Sequence, residues 1–115
     1  MTTSSRNNSA VLRHSAPIFA ALGDDVRLSL VARLSRGEPL SITRLTDGMA
    51  ITRQAVTKHL HVLAEAGLVT ATRSGREQKW ELKTQSFREA QRCLDQITKQ
   101  WGDALARLKS FVEEG

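Results

Sequence analysis

The last third of the chain carries the tightest constraint on its fold. From Phe87 to Val112, apolar side chains recur at steps of three and four: Phe87, Ala90, Leu94, Ile97, Trp101, Ala104 and Leu105, Leu108, then Phe111 and Val112. That period is one face of a long α-helix with a heptad-like seam. A helix from about Ser86 to Val112 spans roughly 40 Å at ~1.5 Å per residue. A chain of 115 residues makes one domain with a modest core, too small to bury so long a seam. The pattern therefore predicts a homodimer, with Leu94, Ile97, Trp101, Leu105 and Leu108 between subunits and Ile18 and Phe19 helping. Gly102 costs roughly 1 kcal/mol in a helix interior, which points to close packing or a bend there.

Upstream, the punctuation is dense. Met1 to Ser9 is Ser-, Thr- and Asn-rich without an apolar stretch, so residues 1–14 read as a flexible tail and 15–115 as the folded domain. Pro17 followed by Ile18 to Leu22 predicts a short helix with Pro in its first turn, ended by Gly23. Asp24 is placed to cap a second helix with an apolar stripe of Val26, Leu28, Leu30, Val31 and Leu34. Ser41 caps a third helix reaching to Met49, broken at Asp47-Gly48, and Thr52 caps a fourth that ends at Gly67. Leu68–Thr72 and Lys79–Leu82 then alternate about Ser74-Gly75-Arg76-Glu77, the pattern of a hairpin. The fold class is thus mainly α with a small β-hairpin, an α+β winged helix-turn-helix with a long C-terminal dimerisation helix.

Two short helices joined by a turn match helix-turn-helix order, in which the second helix enters the DNA major groove by its N-terminal end. Val56, Leu60 and Leu63 must face the core, which leaves Arg53, Gln54, Thr57 and Lys58 outward. Arg grips guanine and Gln grips adenine with paired hydrogen bonds. Thr57 suits a thymine methyl or a phosphate, and Lys58 a phosphate that positions the helix. The helix start at Thr52 itself favours a phosphate. Arg73 and Arg76 flank the hairpin tip, where a wing reaches an adjacent minor groove. The charge distribution agrees. Of the net +5, residues 53–83 hold six basic and three acidic side chains, while 84–115 hold five of each. Double-stranded DNA is the partner this pattern fits.

The segments Ala21-Leu22-Gly23-Asp24-Asp25-Val26-Arg27-Leu28, Thr52 to Leu60, and Val62-Leu63-Ala64-Glu65-Ala66-Gly67-Leu68-Val69 together resemble the ArsR family of winged-helix repressors over roughly residues 15 to 112. The resemblance implies a winged-helix dimer joined through its first and last helices. It also implies that Arg53, Gln54, Thr57 and Lys58 fall at DNA-contacting positions of a repressor. A two-fold dimer would read an inverted repeat, and the N-terminus without an apolar stretch makes the cytoplasm the simplest compartment.

Metal-sensing members of that family place thiolates on the third helix, or carboxylates and His on the last. Here the third helix has no Cys and the last has no His, so no metal site and no cofactor is expected. The branch is one without evident sensing ligands, although His14, near the tail, leaves open a site between subunits; the protein is a simple autorepressor or has an organic small molecule or a protein partner as effector. Cys93 is the only cysteine and cannot form an intrachain disulfide. No nucleophile triad, phosphate loop or carboxylate pair marks an enzyme, and no apolar run is long enough to span a membrane. A second reading is a winged-helix protein-interaction module without DNA binding.

Overall fold

Local capping divides the chain into its elements. In a computed structural model, which describes residues 2–114, the order is α1 (Thr2–Leu22), α2 (Asp25–Leu34), β1 (Leu40–Ser41), α3 (Ile42–Thr46), α4 (Arg53–Glu65), β2 (Val69–Ser74), β3 (Glu77–Leu82) and α5 (Thr84–Glu114). Asp24, Ser41 and Thr52 each start a helix by accepting backbone N–H groups of the first turn, donors that the helix itself leaves unpaired. At the other end of α4, the Leu68 N–H donates to the Leu63 carbonyl at 2.9 Å and the Gly67 N–H to Ala64 at 3.0 Å. Gly67 sits at φ +77°, so this is a Schellman ending with its usual apolar contact between Leu63 and Leu68, both fully buried.

The core forms where α1, α2, α3 and α4 meet the sheet. Leu30 and Leu34 of α2, Leu45 of α3, and Val56, Leu60 and Leu63 of α4 close on Leu68, Val69 and Trp80. The sheet is antiparallel with order β1-β3-β2. Gly75 has φ +65° while, among the described residues, no non-glycine residue has positive φ, so the two-residue Gly75-Arg76 tip follows the type II′ pattern that matches strand twist. Pairing runs from Val69↔Leu82 to Ser74↔Glu77, extending the ladder to the tip.

Three expectations change. The helix α1 begins at Thr2, well before Pro17. No glycine or proline interrupts residues 2–16, and α1 packs along α5, with His14 Nε2 3.1 Å from Glu89 Oε2. Pro17 consequently lies inside α1, not in a first turn. Strand β1, two residues long, is too short for any periodicity to announce it; it pairs Leu40 with Trp80. Leu28 is half exposed, because it lies two residues, about 200° around a 3.6-residue helix, from the buried Leu30.

The long helix is 31 residues. Only its first turns join the core: Ala90 and Cys93 are buried and Phe87 is partly so. Beyond them α5 leaves the body of the molecule, whose extents are 67 × 29 × 21 Å.

Candidate nucleic-acid interface

The polar face of α4 follows from its buried one. Val56, Leu60 and Leu63 are fully enclosed, so residues offset by one or two positions turn outward. Thr52, Arg53, Gln54 and Lys58 are exposed around the first turns of α4. Thr52 accepts the Ala55 N–H at 3.1 Å, which commits its side-chain oxygen to the cap. Thr57 is half-buried, and its hydroxyl donates to the Arg53 carbonyl at 2.8 Å. Its methyl and remaining lone pair are what it offers outward.

The two histidines of α4 divide as their spacing requires, since residues two apart do not share a helix face. His59 turns toward α2, with Nδ1 3.2 Å from Arg27 Nη1 and 3.9 Å from Asp24 Oδ1. Arg27 also donates through Nε to the Ala21 carbonyl at the end of α1. The backbone N–H of Arg27 donating to Asp24 holds that carboxyl below its ordinary value, with the charges of Arg27 and His59 and the Val26 N–H adding to it. His61 is exposed and tilts against Trp80, ring centroids 6.0 Å apart.

Arg73 and Arg76 are exposed at the hairpin end, on an element separate from α4. A residue outside the sequence-based set joins the α4 side: Arg44 of α3 is exposed and, with Thr43, Asp47, Gly48 and Arg53, lines a cleft between the two helices.

The residues expected between subunits split. Leu94, Ile97, Trp101, Leu105 and Leu108 are exposed along α5, together with Phe111 and Val112. Ile18 is not available; it is buried in the chain's own core, because the face of α1 that carries it and Ala21 packs inward. Phe19 is half-buried against the same core. Among the described residues, no group of three or more His, Cys, Asp or Glu side chains is arranged to hold a metal ion, and no helix is long and apolar enough to cross a membrane.

Residues 22–71 match a helix-turn-helix domain family. The chain is 45% identical over 65 residues to YuzN, an uncharacterized HTH-type transcriptional regulator of Bacillus subtilis, covering 51% of this chain and 71% of that one. Its structure is similar to that of an ArsR-like transcriptional regulator from Rhodococcus sp. RHA1, with a TM-score of 0.77, 30% identity, and 89% of this chain and 95% of that one covered. It also shares the fold of a winged helix-turn-helix domain from Mycobacterium bovis, described as homodimeric and as a possible ArsR-family transcriptional regulator, at a TM-score of 0.60 and 20% identity over 86% of this chain and 88% of that one.

Proposed function

The chain belongs to the ArsR-type family of winged helix-turn-helix transcriptional regulators, and on that premise we propose that it represses transcription by binding an inverted-repeat operator as a homodimer. The observation that carries this reading is the pairing on α4 of a fully enclosed apolar face with an outward set of Arg53, Gln54 and Lys58. Arg53 and Gln54, in the first turn, reach base edges, where their forked donors and acceptors discriminate guanine and adenine. Lys58, with the helix start at Thr52, binds phosphate and sets the register. Thr57 contributes its methyl. Arg73 and Arg76 extend the contact from the hairpin into the neighbouring minor groove.

The dimer is supported by the apolar face that α5 leaves open and by the homodimeric state of the M. bovis domain. A two-fold dimer reads half-sites about one helical turn, ~34 Å, apart. The same reading puts the protein in the cytoplasm beside its DNA. The protein acts as a simple autorepressor or is released from DNA by an organic ligand or a protein partner. Titrating zinc, cadmium or arsenite into the DNA complex checks this, and release at stoichiometric metal would contradict it.

Selection from a random duplex pool, followed by footprinting and salt titration, is the test. The expected result is one two-fold symmetric site whose affinity falls steeply with salt. A single short half-site contradicts the dimer. The absence of any salt-dependent duplex binding replaces the reading with a protein-interaction module.

A further inference from the structure

The short helix α3 ends at Asp47, and several carbonyls at that end find partners outside the regular helical ladder. Thr46 donates its hydroxyl to Ile42 O at 2.7 Å. The Asp47 N–H takes Arg44 O at 3.3 Å, and the Met49 N–H takes Thr46 O at 3.0 Å. The carbonyls of Leu45 and Asp47 have a different partner. Nη1 of Arg33, on α2, donates to Leu45 O at 2.9 Å and to Asp47 O at 2.7 Å, with Arg44 O more distant at 3.5 Å. One guanidinium nitrogen thus spends its two protons on the two carbonyls that bracket the start of the α3–α4 turn. Leu45 is fully buried and its bond to Arg33 is partly so, which makes that carbonyl costly to leave unpaired, while the Asp47 carbonyl lies at the surface.

We propose that Arg33 is a positioning residue for DNA reading: it fastens the turn between α3 and α4 to α2 and so fixes the angle at which Arg53 and Gln54 are presented. It does this without touching DNA. The inference rests on the assignment of α4 as the reading helix and deepens it. Reach matters here, because both bonds leave from Nη1, and a lysine ammonium, although it has donors enough, ends one bond nearer the backbone than Nη1 of an arginine. The short turn gives the effect its leverage. Only Asp47 to Thr52 separates α3 from α4, so a loosened Asp47 is passed directly to the helix start.

The experiment compares wild type, Arg33→Lys and Arg33→Gln on the duplex that wild type selects and on a scrambled duplex. Affinities are taken at several salt concentrations, well below each variant's melting temperature. The expected result is that both variants lose at least tenfold on the selected duplex and less than twofold on the scrambled one, with the salt slope unchanged. Full recovery by Arg33→Lys, or an equal loss on both duplexes with a slope smaller by about one, makes Arg33 a phosphate contact and overturns the proposal. A lower melting temperature with the ratio of selected to scrambled affinity unchanged makes it a purely structural residue and also overturns it. If wild type selects no sequence, the reading of α4 fails and this inference with it, whereas selection by wild type with unaffected variants sinks the Arg33 role alone.

Discussion

Helices α4 and α5 both carry an apolar stripe at helical spacing, yet the chain treats them in opposite ways. Every apolar residue on the inner face of α4, Val56, Leu60 and Leu63, has 0% exposure. On α5, Trp101 is 65% exposed and Leu105 57%. The stripe of α4 is satisfied within one chain, so its other face is free to specialise in recognition. The stripe of α5 is covered only at its start, by α1, and the remainder is exposed on the single chain. Periodicity alone shows that a helix has an apolar face. What covers that face is decided by length and connectivity: α4 has 13 residues between two turns, and α5 runs on past the end of the core.

The contrast can be broken most severely in α4. Leu60→Ala opens a cavity in the core and is expected to destabilise the fold by about 2–5 kcal/mol. The equivalent truncation of Leu108, exposed on a single chain, leaves the stability of that chain nearly unchanged and acts on association. Denaturant melts at low and high protein concentration separate the two. A Leu108→Ala loss that is independent of concentration would erase the distinction.

On the outward face of α4, Arg53→Ala is expected to cost about 1–3 kcal/mol at the selected operator and to relax preference at one base pair. Lys58→Ala weakens selected and scrambled duplexes alike and lowers the salt slope by about one. Fluorescence anisotropy measures both, and neither substitution unfolds the protein, since both side chains are exposed.

Gly102 sharpens the other side of the comparison. A Cβ there meets nothing within 4 Å in its own chain, so Gly102→Ala is expected to stabilise the helix by roughly 1 kcal/mol. A rise in melting temperature is the expected readout. A fall in dimer affinity instead locates Gly102 at a close contact between two copies of α5.

The smallest effect concerns pH. Asp24 joins α2 to α4 through Arg27 and His59, a link that the outer half of α5 lacks. Its carboxyl is held below the ordinary 3.8, so its native pKa lies under its unfolded one. Its contribution to stability is complete above the unfolded value and is lost as pH falls through the native value. Asp24→Asn keeps a capping oxygen but does not titrate. Its melting temperature is expected to fall less than that of wild type on acidification below about pH 4. An equal fall in both proteins would assign the acid sensitivity elsewhere.

Much of this was legible in the residues. Asp24, Ser41 and Thr52 announce their helices because a short polar side chain before an apolar stripe has one efficient use, and the hairpin is readable from Gly75 between alternating runs. The outward set on α4 follows once Val56, Leu60 and Leu63 are assigned inward. Three features were hidden for physical reasons. Strand β1 has no period of its own and exists only because Trp80 supplies its partner. Ile18 looks like interface but belongs to the core, since nothing local distinguishes an apolar residue facing its own chain from one facing another. Arg33 reads as a solvated charge on α2, because the carbonyls it serves lie 12 and 14 residues further along.

Sedimentation of the wild-type chain at micromolar concentration, free and bound to its selected duplex, tests the open face of α5 and the outward face of α4 together. The expected result is a free species of twice the 12.7 kDa chain mass and two chains per duplex, with Trp101→Ala shifting the free protein toward monomer while leaving its fold intact. A 12.7 kDa species that binds one chain per duplex would contradict it.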